Sequence, residues 1–268
     1  MSPFVALILG IVEGLTEYLP VSSTGHLVLV GALLGEDGEG AKSFEIVIQL
    51  GAILAVVVHY RALLLARLSG LLSRDPLAVS LAVALAVGFL PAAAAGFLLR
   101  KTIKAHLFGP LPVAVALLVG GVVMIGIERY RKARSPVVLD GLEHVTPKRA
   151  LLIGIGQCFS LWPGSSRSMC TIVAGQLAGL STSTAAEFSF LLALPTLTAA
   201  TLYEGFKSRH ELSATGAGPD LAIGLVVSFL VAWAVIAGFL KYLKRNGLEP
   251  FGYYRIVLAA LVFFLILK

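Results

Sequence analysis

The sequence predicts an all-α, polytopic membrane protein built from two inverted-topology repeats, each with one re-entrant helical hairpin and three transmembrane helices. Three observations predict it. The composition is 57% hydrophobic and only 13% charged, where a soluble domain carries about 25% charged residues. The apolar residues gather into eight segments, approximately 4–34, 44–60, 78–99, 111–127, 150–180, 185–203, 220–240 and 250–267. The first four of these segments match the last four at an offset close to 142 residues. The chain therefore reads as a single membrane domain, 1–268, with repeat one at about 1–143 and repeat two at about 144–268.

The first segment lacks the basic stretch that opens a secretory signal, and Glu13 interrupts it. It is expected to remain in the mature protein. Segments one and five are long but broken by Pro, Gly and Ser. Neither half of either reaches the roughly 20 residues a spanning helix needs. They read as re-entrant hairpins, a form tolerated at membrane depth only when buried in protein or lining a wet cavity. The other six segments read as full spans.

The repeat rests on four matches in order. Ile11-Val12-Glu13 aligns with Ile155-Gly156-Gln157, and Pro20-Val21-Ser22-Ser23 with Pro163-Gly164-Ser165-Ser166, allowing a one-residue gap. Phe44-Glu45 answers to Glu187-Phe188, and Ala95-Gly96-Phe97-Leu98 to Ala237-Gly238-Phe239-Leu240. Ordered self-similarity of this kind marks an internal repeat. Three spans per copy is an odd number, so the second copy enters from the opposite face.

The net charge of +6 lies in the loops between apolar segments. Topology signals and lipid-headgroup contacts are distributed in this way, and nucleic acid is not an expected partner. One side carries twelve basic residues: Arg61, Arg67, Arg74, Arg129, Arg131, Lys132, Arg134, Lys148, Arg149, Lys241, Lys244 and Arg245. The other carries seven: Lys42, Arg100, Lys101, Lys104, Lys207, Arg209 and Lys268. The positive-inside rule puts the first group in the cytoplasm and both termini outside. The only two cysteines, Cys158 and Cys170, sit in apolar surroundings and read as small core residues.

Function is read from polar residues in expensive places. Glu13 and Glu17 lie one helical turn apart on one face of an apolar helix. An acid at membrane depth is a functional candidate because its burial is costly. The chain then breaks at Pro20 and restarts through Ser22, Ser23, Thr24, Gly25 and His26. A restarting helix exposes free N–H groups that favour an anion. Ser22, Ser23 and Thr24 suit caps, and Gly25 suits close approach of a ligand. Gly164, Ser165, Ser166 and Arg167 repeat the pattern after Pro163. If the two breaks meet, two positive helix ends and a guanidinium converge, and such a site fits a phosphate group.

Two carboxylates beside a polyphosphate suggest a divalent cation held by Glu13 and Glu17. The alternative is one ionised and one protonated carboxyl acting as base and acid, or Glu13 serving only as a brace. His26 is read as a general acid or base, or as the group that holds Ser23 for attack. Glu45 and Gln49, spaced i, i+4, are read as bracing the hairpin, and Glu187 as sharing that role. Gln157 replaces Glu13 in the second copy, which leaves the first copy catalytic and the second phosphate-binding. Asp140, Glu143 and His144 read as solvated, Arg255 as snorkelling to the headgroups, and Trp162 as packing near the second break.

Residues 13–26, Glu-Gly-Leu-Thr-Glu-Tyr-Leu-Pro-Val-Ser-Ser-Thr-Gly-His, and residues 163–171, Pro-Gly-Ser-Ser-Arg-Ser-Met-Cys-Thr, resemble the two signatures of the undecaprenyl-diphosphate phosphatases, also called bacitracin-resistance proteins. The resemblance covers essentially the whole chain. It departs at Met169, where the family usually has glycine, and at Tyr18, which replaces a common phenylalanine. It implies dephosphorylation of undecaprenyl diphosphate with a divalent metal, Mg²⁺ or Ca²⁺, in the bacterial inner membrane, with the site open to the periplasm. Membrane lipids are implied partners, and a homodimer is compatible. It also implies that Glu13, Glu17, Ser23 and His26 are active-site groups, and that Arg167 with Ser166 and Thr171 binds phosphate. A transporter or lipid flippase is the alternative that the inverted repeat alone would suggest.

Overall fold

A computed structural model describes residues 1–36, 39–134, 137–207, 209 and 218–266. Lys268, counted above among the outer-side charges, lies outside the described residues, as do the side chains of Lys42 and Lys104. The described helices are α1 (Pro3–Thr16), α2 (Ser23–Leu33), α3 (Glu39–His59), α4 (Arg61–Leu72), α5 (Pro76–His106), α6 (Pro110–Arg134), α7 (Pro147–Cys158), α8 (Arg167–Leu177), α9 (Thr182–Lys207), α10 (Pro219–Leu243) and α11 (Glu249–Ile266). Single 3-10 turns occupy Leu142–His144 and Phe159–Leu161. No strand occurs among the described residues; Leu139 and Leu180 form an isolated parallel bridge.

Helix starts follow local chemistry. Ser2, Asp75 and Thr146 each cap with a side-chain oxygen and are each followed by proline, whose missing N–H is no loss at the first helical position. Apolar segments one and five are each two short helices, α1–α2 and α7–α8, as their interrupted sequences predict. Segment two was expected to end at 60. The chain instead turns by 71° at Tyr60 and continues as α4, a helix with no buried residue, bearing exposed Leu65, Leu68 and Leu72. Its short polar spacing hid it from the segment count.

Among the described residues, four helices are long and apolar enough to cross a membrane: Pro76–Ile103, Pro110–Arg134, Thr182–Lys207 and Pro219–Leu243. The bent pair α3–α4 makes a fifth if counted as one span. The described secondary structure is thus helical, and the protein is a multi-pass membrane protein. Its outward faces carry large apolar side chains, such as Phe97, Leu98 and Phe206. The largest core cluster joins residues of both halves, including Tyr18, Val56, Ile153, Phe188, Phe190 and Ile236.

The two halves interlock. Helix α1 packs on α10, and α7 packs on α5, so the first helix of each broken pair lies on a long helix of the other half. Both crossings are close. A Cβ on Gly10 would lie 2.7 Å from the Gly224 carbonyl oxygen, and a Cβ on Gly154 would lie 2.5 Å from that of Gly88. Gly10 and Gly154 are 144 residues apart. Small residues drive helix contact in lipid because dispersion, rather than exclusion of water, holds helices together there. We expect Gly154→Val to separate α7 from α5 and destabilise the protein by about 1–3 kcal/mol. Gly238→Val, where an added Cβ meets nothing within 4 Å, should leave thermal unfolding in detergent unchanged.

Candidate active site at the two helix breaks

The two breaks share one backbone device. Ser22 has φ 76° and ψ 99°, and Ser166 has φ 74° and ψ 117°. Positive φ is rare for a residue with a Cβ, and such strain gathers at functional sites. Each serine caps the helix that follows: Ser22 Oγ accepts from Gly25 N–H and Ser166 Oγ from Met169 N–H, both at 3.3 Å. The helices they cap, α2 and α8, both have 11 residues.

This geometry corrects the register read from sequence. The cap Ser22 answers to Ser166, not Ser165, so Ser23 answers to Arg167. The same offset of 144 pairs Glu13 with Gln157 and the buried Phe44 with the buried Phe188. It pairs Glu45 with Ser189 rather than with Glu187. The proline-based alignment slipped because the second break holds one residue more between its proline and its cap.

The breaks touch each other. Arg167 Nη2 lies 3.0 Å from Glu17 Oε1, an ion pair whose side chains are 9% and 5% exposed. The other terminal nitrogen, Nη1, donates to Ser189 O at 3.0 Å and to Ser189 Oγ at 3.3 Å. The guanidinium carbon stands 5.6 Å from the centre of the Tyr18 ring. Ser23 Oγ donates to Glu17 Oε2 at 2.6 Å, and Ser168 Oγ to Leu19 O at 2.9 Å. Ser23 is half-buried and Thr24 is exposed, so the junction opens on the side of the first turn of α2.

The remaining candidates divide. Glu13 is 1% exposed, its Oε1 has no hydrogen-bond partner among the described residues, and the charges of Glu17, Glu45 and Arg167 act on it. Thr171 is fully buried: its hydroxyl donates to Arg167 O at 2.8 Å and meets Ser189 Oγ at 2.6 Å, supporting Arg167 from behind. Ser165 and Ser166 are buried, and Ser166 Oγ meets Ser168 Oγ at 3.0 Å. Gly164 has φ 95°, and a Cβ there would lie 2.6 Å from Val113 O on α6. A Cβ on Gly25 would meet nothing nearer than 3.4 Å. Gln49 accepts from Thr201 at 2.8 Å. Glu187 does not join the cluster; it lies in the field of Asp140, Lys244 and Glu143 instead. Asp140, read as solvated, accepts from Ser181 and Thr184, and the Ser181 hydroxyl holds its carboxyl below the usual range.

His26 does not hold Ser23. Its Nδ1 lies 2.7 Å from Ser22 O and its Nε2 2.7 Å from Tyr254 Oη, while Glu17 takes the Ser23 hydroxyl.

Arg255 requires a correction. It does not snorkel: it is 0% exposed. Its guanidinium donates to Leu117 O (3.3 Å), Pro20 O (3.2 Å), Ala116 O (3.1 Å) and Gly164 O (2.9 Å). One side chain thus ties the tip of the first break, the tip of the second, and α6. The rule that singled out Glu13, a charge inside an apolar helix, applies equally to Arg255 and would have found it. Ser189 gave no such signal, since an offset of 144 is needed to see that it replaces Glu45.

The pair Glu13–Glu17 fits a hard divalent cation in one respect: a buried carboxylate oxygen of Glu13 is without a partner. No group of three or more His, Cys, Asp or Glu converges among the described residues. Substrate oxygens would have to complete the shell, as is usual for Mg²⁺ at phosphates.

The sequence profile of the family described as bacitracin resistance protein BacA matches residues 6–261. This chain belongs to that family. Similar proteins in the family's range include the undecaprenyl-diphosphatase of Sorangium cellulosum (strain So ce56), 60% identical over 98% of this chain and 86% of its own length. Those of Maridesulfovibrio salexigens, 49% identical, and Thermoanaerobacter pseudethanolicus, 48% identical, are covered over 98% and 96% of their lengths, and cover 98% and 97% of this chain.

Arg255→Met should leave four buried carbonyls without this donor. We expect a loss of about 3 kcal/mol or more, read as a lowered unfolding temperature in detergent, against an unchanged value for the exposed Lys101→Met.

Proposed function

We propose that this BacA-family protein hydrolyses undecaprenyl diphosphate to undecaprenyl phosphate and inorganic phosphate, and that the junction of the two helix breaks is where it does so. The reading is carried by one observation: Arg167 of the second break and Ser23 of the first both bond to the same buried carboxylate, Glu17. A diphosphate needs positive charge for its oxygens, a nucleophile, and a base for the nucleophile's proton. Arg167 and the first turns of α2 and α8 supply the charge, with Ser22, Thr24, Gly25, Gly164, Ser165 and Ser166 shaping those turns. Thr171 and Ser189 hold Arg167 in place.

In our reading, Ser23 is the nucleophile and Glu17 its base. The hydroxyl proton passes to Glu17 as Ser23 Oγ bonds to the terminal phosphorus, and the bond to the lipid phosphate oxygen breaks. Undecaprenyl phosphate leaves, and water then releases phosphate from Ser23. Glu13 and Glu17 would hold a divalent cation, Mg²⁺ or Ca²⁺, against the diphosphate oxygens, where it neutralises charge on the transferring group. Glu45 and Gln49 brace α3 beside the pair.

The same reading takes the broken pairs as re-entrant hairpins of inverted repeats. Their identical caps and the exchange of α1 and α7 between halves support it. It takes the site as open to the periplasmic side of the inner membrane, which the loop charges support.

Purified protein in detergent should release inorganic phosphate from undecaprenyl diphosphate. A transporter of the same fold would release none. Glu17→Gln and Arg167→Ala should each lower kcat/KM by about 100-fold or more. Wild-type rates in both variants would overturn the site assignment. Chelation should abolish release, and added Mg²⁺ or Ca²⁺ should restore it; full activity under chelation would remove the metal from the account.

A further inference from the structure

His26 is nearly buried, and both of its ring nitrogens are committed. Nδ1 faces the carbonyl oxygen of Ser22, which can only accept, so Nδ1 carries a proton. In the neutral ring Nε2 is then an acceptor, and the group that faces it is the Tyr254 hydroxyl, 2.7 Å away. A hydroxyl can donate there. Tyr254 stands on α11 and is 47% exposed. Its ring lies parallel to the imidazole with centroids 5.7 Å apart. The other charge acting on His26 is the guanidinium of Arg255, the next residue on α11.

The Ser22 carbonyl belongs to the strained cap at φ 76°, the residue that turns the chain from the first break into α2. Holding the His26 ring therefore also holds that carbonyl, and with it the first turn that presents Ser23. We propose that Tyr254 is a positioning residue for the reaction: it donates its hydroxyl proton to His26 Nε2, fixes the Nδ1–H form of the ring, and so latches the Ser22 cap behind Ser23. The inference deepens the reading of this junction as the phosphatase site. No part of it needs His26 to touch substrate. It also separates the neighbouring residues of α11 by task, since Arg255 ties the two breaks together and Tyr254 sets the orientation of one of them.

Tyr254→Phe keeps the ring and deletes the hydroxyl, so the packing of α11 is retained. The test is made on full-length protein in detergent, labelled with ¹⁵N-histidine. The chain has five histidines, and His26→Asn assigns the His26 signals by subtraction. Wild-type protein should show His26 protonated at Nδ1, with a hydrogen-bonded, unprotonated Nε2. In Tyr254→Phe the Nε2 resonance should move to that of an unbonded nitrogen. In the same variant kcat for phosphate release should fall by about tenfold, the effect of one lost hydrogen bond to a buried group, with KM within about twofold. Identical His26 spectra in the two proteins would overturn the proposal. So would a lost Nε2 bond with unchanged kcat. Wild-type turnover in His26→Asn would overturn it as well, since Tyr254 acts through that ring, whereas wild-type rates in Glu17→Gln and Arg167→Ala are what would remove the junction as the reaction site.

Discussion

The ion pair between Glu17 and Arg167 is the constraint on which the rest of the site depends. It closes a loop of 150 residues and does so in a region with little water. Removing one partner of a buried pair leaves an uncompensated charge, at about 3–5 kcal/mol. The pair is therefore a poor choice if stability alone were at stake, since apolar side chains of similar size hold helices together without that exposure to loss. Its value lies in placement. It brings a nucleophile candidate on one break within reach of the guanidinium on the other, and no backbone hydrogen bond within a single hairpin could do that.

The surrounding structure serves that placement. Arg255 gathers carbonyls from both tips, so the breaks meet at a fixed separation before any ligand arrives. The two caps at positive φ carry strain that only a fully packed neighbourhood sustains. Exchange of α1 and α7 between the halves means that neither half completes its own environment. A helix-pair scaffold of this kind, with two half-sites facing each other, is equally suited to moving a ligand across a membrane. What separates this junction from a transport site is its asymmetry: Glu13 and Glu17 on one side, Gln157 and Leu161 at the same register on the other.

Much of this was legible in the sequence. Pro20 and Pro163, each followed by serines inside an apolar stretch, revealed both breaks, and the spacing of Glu13 and Glu17 placed both carboxyls on one face. The internal matches were legible too, but their register was not. Proline pairs with proline in an alignment, whereas the physical equivalence is set by which serine caps the helix, and that depends on φ. Arg255 was misplaced for a related reason. It lies close to the start of α11, where sequence suggests a headgroup contact, yet carbonyls that receive it come from Gly164 and Pro20, 91 and 235 positions away. Helix α4 was missed because Arg61 and Arg67 interrupt its apolar residues too often for a span, and only one edge of it, with Leu63 and Leu64, packs on the core.

The coupling between the breaks can be measured without any substrate. A double-mutant cycle of Glu17→Gln and Arg167→Met, read by equilibrium or thermal unfolding in detergent, isolates the interaction between those two side chains. The account predicts that each single variant is destabilised and that the double variant is less so than their sum, by about 1 kcal/mol or more. Additive effects would mean that the two breaks do not depend on each other, and would contradict the claim that they form one site.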